Sequence, residues 1–263
     1  MRELIAFPCA GDALVGTLDR APSTRGLLIV SGGNELRIGA HRGMALMAQR
    51  LAAAGHPVFR FDRRGIGDST GVNRGFEESG PDIAAAVAAF RTAVPALTRI
   101  VAFGNCDAAS ALALQDISGI DALVLANPWV IEPTADALPP ASAIRARYAE
   151  RLRDPRAWAR LLTGGVNLRK LAGGLSKISG GEAAAPEGLA ARVAAGLADK
   201  RATILIAKRD NTAIAFAEAW QTPAYAALRD RIEPEILDTD SHSFHRSDDK
   251  AWLQARLLAA LNG

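Results

Sequence analysis

Apolar positions along this chain fall into two patterns. Near the N terminus they alternate with polar ones over residues 3–7 and 14–18, with Ala10-Gly11-Asp12 between. Alternation of this kind, broken by a turn signal, predicts an antiparallel hairpin. Residues 25–31 follow, with Leu27-Leu28-Ile29-Val30 as a continuous apolar core. An unbroken apolar run reads as a strand buried on both faces. Further strands are predicted over residues 57–61, 99–103, 121–126, 202–207 and 231–237.

Helical patterns lie between them. Residues 40–54 place Met44, Leu46, Met47 and Leu51 on one face, with Gly55 as the C-cap. Residues 81–94, 106–115, 213–220 and 248–261 read as further helices. From 130 to 200 the alternation stops. Helical patterns over 141–152, 155–162, 168–175 and 189–197 are separated by Gly-rich breaks such as Ser179-Gly180-Gly181. The expected organisation is an α/β core built from residues 1–129 and 201–263, interrupted by a helical cap or lid over 130–200. No internal repeat is visible.

Composition narrows the class. The 263 residues are 49% hydrophobic and 22% charged, ample for one large domain with an insert. The net charge of +3 is scattered, densest between Arg145 and Arg160, and reads as a solvated helix face. Nucleic-acid binding would ask for a concentrated stripe with interleaved aromatics, and no nucleic-acid partner is expected. The two cysteines, Cys9 and Cys106, form neither a disulfide framework nor a C-x-x-C pair. The His residues show no H-x-x-x-H spacing, so no metal is expected. Residues 62–71, Asp-Arg-Arg-Gly-Ile-Gly-Asp-Ser-Thr-Gly, contain G-x-G but not the dinucleotide fingerprint, and no phosphate-cradling loop occurs. No cofactor is expected. No leader-like apolar region and no run of about 20 apolar residues is present, which makes a cytoplasmic protein without a membrane span the default.

The chemistry gathers at the junction of the 99–103 strand and the following helix. Gly104-Asn105-Cys106-Asp107-Ala108 matches the nucleophile-elbow pattern G-x-S-x-G, with Cys for Ser and Ala for the second Gly. Small residues are needed two places either side of the nucleophile because strand and helix backbones nearly touch there. The helix start aims N–H groups at the sulfur, which favours a thiolate and later an oxyanion. On this local pattern alone, a small buried cysteine is an equal reading. Ser31-Gly32-Gly33-Asn34, directly after a buried strand, offers a backbone N–H for an oxyanion hole or is a plain βα loop. Asp107 reads as a first-turn helix acid, and Asp62 and Asp68 as braces of their own loop. His242 and His245 both follow the last strand as candidate bases, and Asp210, Asp238 and Asp240 are candidate acids.

In order, these motifs resemble the α/β-hydrolase superfamily over essentially the whole chain. The S-G-G-N-E-x-R-x-G-x-H-R segment at 31–42, the G-N-C-D-A elbow and the K-R-D-N-T-A segment at 208–213 resemble the exosortase A system-associated hydrolases, type 1. The resemblance implies a mostly parallel sheet flanked by helices. It implies Cys106 as nucleophile, Asp210 as acid and His242 as base. The oxyanion donors would be the N–H of Asp107 and that of Gly33 or Asn34. Cys in place of Ser is shared with the dienelactone-hydrolase branch of the fold. Apart from the resemblance, Arg37 and Arg42 beside the Gly-rich loop read equally as holders of a substrate carboxylate or phosphate and as surface arginines, His41 as a substrate-facing or helix N-terminal residue, and Trp129 as a further candidate substrate contact. The implied activity is hydrolysis of an ester or thioester, a small-molecule acyl substrate, through an acyl-thioester, with a genetic link to exopolysaccharide loci. Acyl transfer by the same triad and ligand binding without catalysis remain alternatives, and homo-oligomerisation stays open.

Overall fold

A computed structural model describes residues 1–132 and 188–263. The expected cap helices over 141–152, 155–162 and 168–175, and the basic group between Arg145 and Arg160, lie outside the described residues.

The hairpin is longer than the alternation suggests. β1 (Arg2–Cys9) and β2 (Asp12–Asp19) pair antiparallel through the two-residue turn Ala10-Gly11, both with positive φ (50° and 91°). A turn of that hand matches the right-handed twist of the two strands. The buried strands follow: β3 (Arg25–Val30), β4 (Val58–Phe61), β5 (Arg99–Asn105), β6 (Ala122–Ala126), β7 (Ala202–Ala207) and β8 (Glu235–Leu237). The sheet runs β1-β2-β4-β3-β5-β6-β7-β8. β2 joins β4 antiparallel, and every pair from β4–β3 to β7–β8 is parallel.

Seven α-helices lie among the described residues: α1 (Gly43–Ala53), α2 (Gly80–Ala93), α3 (Asp107–Leu114), α4 (Leu189–Gly196), α5 (Asn211–Trp220), α6 (Ala226–Arg229) and α7 (Ser247–Asn262). Where the pattern predicts one helix over 40–54, a 3-10 turn (Ala40–Arg42) precedes α1, because His41 and Arg42 both take positive φ (52° and 59°). The short α6 and the 3-10 turn Pro223–Tyr225 before it are too short to leave a periodic signal.

The continuous apolar runs are explained by two cores. Leu28 and Val30 of β3 and Ala102 of β5 point into one, against Ile83, Phe90, Leu112 and Phe216. Leu27, Ile29, Val101 and Phe103 point into the other, against Met47, Leu51, Leu253 and Leu257. Each large side chain so buried contributes roughly 1.5–3 kcal/mol. The sheet order reverses at β3, whose neighbours are β4 on one side and β5 on the other. Loops leaving β3 and β5 therefore diverge and open a crevice at the carboxyl ends of the strands, the usual ligand position in such sheets. No helix among the described residues is long and apolar enough to cross a membrane.

Candidate active site

The crevice holds a cavity of about 600 Å³. Gly32, Gly33, Cys106, Asp107, Trp129 and His242 line it together with the apolar Met44, Met47, Phe76, Phe244 and Leu253. Residues from five separate stretches of the chain thus converge there.

Cys106 stands between β5 and α3 with φ 62° and ψ −128°, a conformation that non-glycine residues seldom adopt. The surrounding backbone holds it: its N–H donates to Ala126 O at 2.9 Å, and its carbonyl accepts from Trp129 N at 3.2 Å. Gly104 is required by space. A Cβ there would lie 2.7 Å from the carbonyl carbon and oxygen of Ala108. Ala108 itself fits in the second small position, fully buried.

The two thiols sit in opposite environments. Cys9 is buried, and its Sγ lies 3.5 Å from the Asp82 carboxylate. Burial, then that carboxylate, push the Cys9 thiol up. Cys106 is partly exposed and lines the same cavity as the His242 ring. His242 Nδ1 lies 3.0 Å from Asp210 Oδ2. That same oxygen accepts from Thr212 N and Ala213 N at 3.1 Å each, so Asp210 is the N-cap of α5 and is held in place by it. The Asp210 hydrogen bond, followed by that of Cys106, raises the His242 pKa to about 10 against opposition from burial. The arrangement can hold a proton between sulfur and ring and keep the imidazolium stable.

The rival assignments separate by position. His245 is exposed, with Nδ1 on Ser241 Oγ at 2.7 Å and its ring 5.5 Å from that of His41. Asp238 and Asp240 pair with Arg209 and Arg246. Trp129 lines the cavity. The other three candidates do not line it. The Arg37 guanidinium pairs with Asp62 and, at 3.0 Å, with Asp68. The reason is that Asp62 is fully buried and needs a cation. His41 and Arg42 are exposed, and only their neighbours Ala40 and Gly43 reach the cavity.

The oxyanion loop departs further from expectation. The Gly33 N–H is not free: it donates to both oxygens of the Asp107 carboxylate, at 2.7 and 2.8 Å. Asp107 is therefore more than a helix-start acid. Asn34 stands outside the cavity and accepts from Asn73 Nδ2 at 2.8 Å. The Asp107 N–H, at the first position of α3, has no intrahelical partner to lose. Asp62 braces the neighbouring loop as well as its own, accepting from Arg37 N at 2.6 Å.

Several site residues left no sequence signal. Asn127, fully buried with φ 44°, donates from Nδ2 to the His242 carbonyl at 3.1 Å and accepts from Ala207 N at 2.8 Å. Asn105 donates to the same carbonyl at 3.1 Å. Asn tolerates a left-handed backbone better than most residues, and its place after a buried strand is the only clue. Glu35 and Lys250 also line the cavity. Burial raises the Glu35 carboxyl, opposed by the Ala40 N–H that it accepts at 2.6 Å. Among the described residues no three His, Cys, Asp or Glu side chains gather to hold a metal ion.

Comparison with known proteins agrees with this architecture. No curated protein is similar enough in sequence to match. The fold is similar to that of an esterase of Pyrococcus furiosus, Pf2001, at 16% identity and TM-score 0.66, covering 100% of this chain and 90% of that one. It is similar to a proline iminopeptidase of Mycobacterium smegmatis, at 14% identity and TM-score 0.60 over 99% of this chain and 98% of the other. A thioesterase domain from the curacin biosynthetic pathway aligns at 13% identity and TM-score 0.56 over 98% and 99%. The family model described as Alpha/beta hydrolase family matches residues 27–256, and the chain belongs to that family.

Proposed function

We propose that this protein hydrolyses an ester or thioester through a covalent acyl-thioester on Cys106, with His242 as base and acid and Asp210 as the group that orients His242. The observation that carries this reading is that Cys106, a thiol on a strained elbow, shares one cavity with His242, whose Nδ1 lies 3.0 Å from the buried Asp210 carboxylate. The likeness to exosortase-associated hydrolases supports a role in exopolysaccharide metabolism.

The chemistry follows from the positions. His242 Nε2 takes the thiol proton, and the sulfur attacks the carbonyl carbon of the substrate. A C–S bond forms and the carbonyl π pair moves to oxygen. The intermediate collapses, the bond to the leaving group breaks, and the imidazolium returns its proton to that group. A water molecule, deprotonated by His242, then attacks the acyl-thioester; the C–S bond breaks, its electron pair returns to sulfur with the proton from the imidazolium, and the carboxylic acid leaves. Asp210 holds the proton on Nδ1, so Nε2 faces the sulfur. The apolar wall of Met44, Met47, Phe244 and Leu253 suits an acyl chain.

The test is p-nitrophenyl butyrate turnover by wild type, Cys106→Ala and His242→Ala, with intact-mass spectrometry after iodoacetamide at neutral pH. The expected result is one carbamidomethyl group, on Cys106 and not on Cys9, and loss of turnover in both variants. Equal turnover by wild type and Cys106→Ala overturns the reading.

A further inference from the structure

We propose that Asp107 is a built-in competitor for the oxyanion site: its carboxylate holds the Gly33 N–H that a substrate's carbonyl oxygen needs, and turnover requires it to turn away. The inference rests on Cys106 being the nucleophile.

Asp107 directly follows Cys106, and both its oxygens lie on one N–H, at 2.7 and 2.8 Å. The fit is close. A Cβ on Gly32 would fall 2.4 Å from Asp107 Oδ1, so the carboxylate can lie against the loop only because residue 32 is glycine. A carboxylate resembles the tetrahedral oxyanion in charge and in what it accepts. It therefore satisfies the donor before substrate arrives, and its charge repels the negative charge that develops on the carbonyl oxygen.

The second position that the proposal requires lies toward Arg63. Arg63 is 4% exposed, and its Nη2 donates to the carbonyl of the same Gly33. Its Nη1 is buried without a hydrogen-bond partner. Burial lowers the Arg63 pKa, and the Asp107 charge is the largest influence opposing it. A buried donor left unpaired is costly. Rotation of Asp107 toward Arg63 would satisfy that donor and free the Gly33 N–H in one movement. On this proposal Asp107 exchanges the Gly33 N–H for Arg63, and substrate selects between the two positions.

The rival account is a clamp, in which Asp107 keeps the loop after β3 in catalytic shape. Asp107→Ala and Asp107→Asn separate the two, with Asp107→Ser in reserve if the Ala variant does not fold. A competitor predicts that Asp107→Ala raises kcat/KM on the order of tenfold, mostly through KM. It also predicts that added acetate, entering the vacated place, returns that variant toward the wild-type rate while leaving wild type unaffected. In ¹⁵N spectra the Gly33 amide of the Ala variant shifts with acetate, and that of wild type does not. A clamp predicts lost turnover in Asp107→Ala, kept turnover in Asp107→Asn and no acetate effect. Asp107→Ala at or below the wild-type rate, while Cys106→Ala is dead, overturns the inference. So does a Gly33 amide in Asp107→Ala that ignores acetate. If Cys106→Ala instead turns over like wild type, it is the catalytic reading that fails, and the amide titration alone decides whether Asp107 occupies an anion site.

Discussion

Asn127 Nδ2 lies 3.1 Å from the carbonyl oxygen of His242, tying the end of β6 to the loop that carries the imidazole. The same side chain accepts from Ala207 N at the end of β7. One buried amide therefore sets the distance between two strand ends and the ring. Asn127→Ala leaves the His242 carbonyl with Asn105 alone and orphans the Ala207 N–H. The expected cost is about 1–3 kcal/mol of stability, read as a lower midpoint in urea. Turnover should fall by more than the unfolded fraction accounts for, since the ring loses its tether.

Asp210 has two duties that one substitution separates. Asn caps helices about as well as Asp, so Asp210→Asn keeps α5 anchored and the melting temperature close to wild type. It removes the charge facing His242 Nδ1. The ring, raised to about 10 from an ordinary 6.5, should titrate well below its wild-type position. Proton NMR of the His242 ring measures this, and turnover should drop about 10²-fold.

The same shift makes stability depend on pH. His242 has a folded-state pKa above its unfolded value of 6.5, so its stabilising contribution is complete below pH 6.5 and is lost as the pH rises through about 10. The side chain is 41% exposed, so the effect is modest. Denaturant curves of wild type and His242→Gln at pH 6 and pH 10 should converge at the higher pH. A gap that widens with pH contradicts this.

On the proposed mechanism the alkaline limb of kcat/KM should fall near pH 10, where the His242 imidazolium loses the proton that the mechanism hands to the leaving group. Asp210→Asn should bring that limb down with the ring pKa. An alkaline limb unmoved by Asp210→Asn would assign it to another group.

Gly104→Ala tests the elbow's space requirement. The added methyl would stand 2.7 Å from the Ala108 backbone, which cannot retreat without shifting the start of α3. The expected loss is about 1–3 kcal/mol, with turnover reduced because Cys106 moves with the helix. Ala108→Gly should leave both measures nearly unchanged.

Much of this was legible from local pattern. Strands buried on both faces must be apolar throughout, so β3, β5 and β7 appear as runs in the chain itself. The elbow could be read because Gly104, Cys106 and Ala108 meet within one turn, and their spacing carries the steric constraint. Position along the chain leaves His242 with His245, and Asp210 with Asp238 and Asp240, as alternatives; it is the resemblance to the α/β-hydrolases that points to His242 and Asp210. The boundaries moved where backbone geometry intervened, as at His41 and Arg42, whose left-handed φ values split a helix that the apolar spacing had drawn as one.

The remainder rests on residues far apart in the chain. From its place beside the Gly32-Gly33 loop, Arg37 reads equally as a substrate contact and as a surface arginine, and nothing near it in sequence shows that its guanidinium pairs with Asp62, a fully buried carboxylate. Nothing near Gly33 in sequence reveals that its N–H is held by Asp107, 74 positions away. A run of residues declares which side chains must leave water and which backbone angles it tolerates, because those depend on neighbours along the chain. Which donor meets which acceptor depends on neighbours across the fold, and only the closed sheet brings Gly33, Arg63, Asp107 and His242 to one crevice.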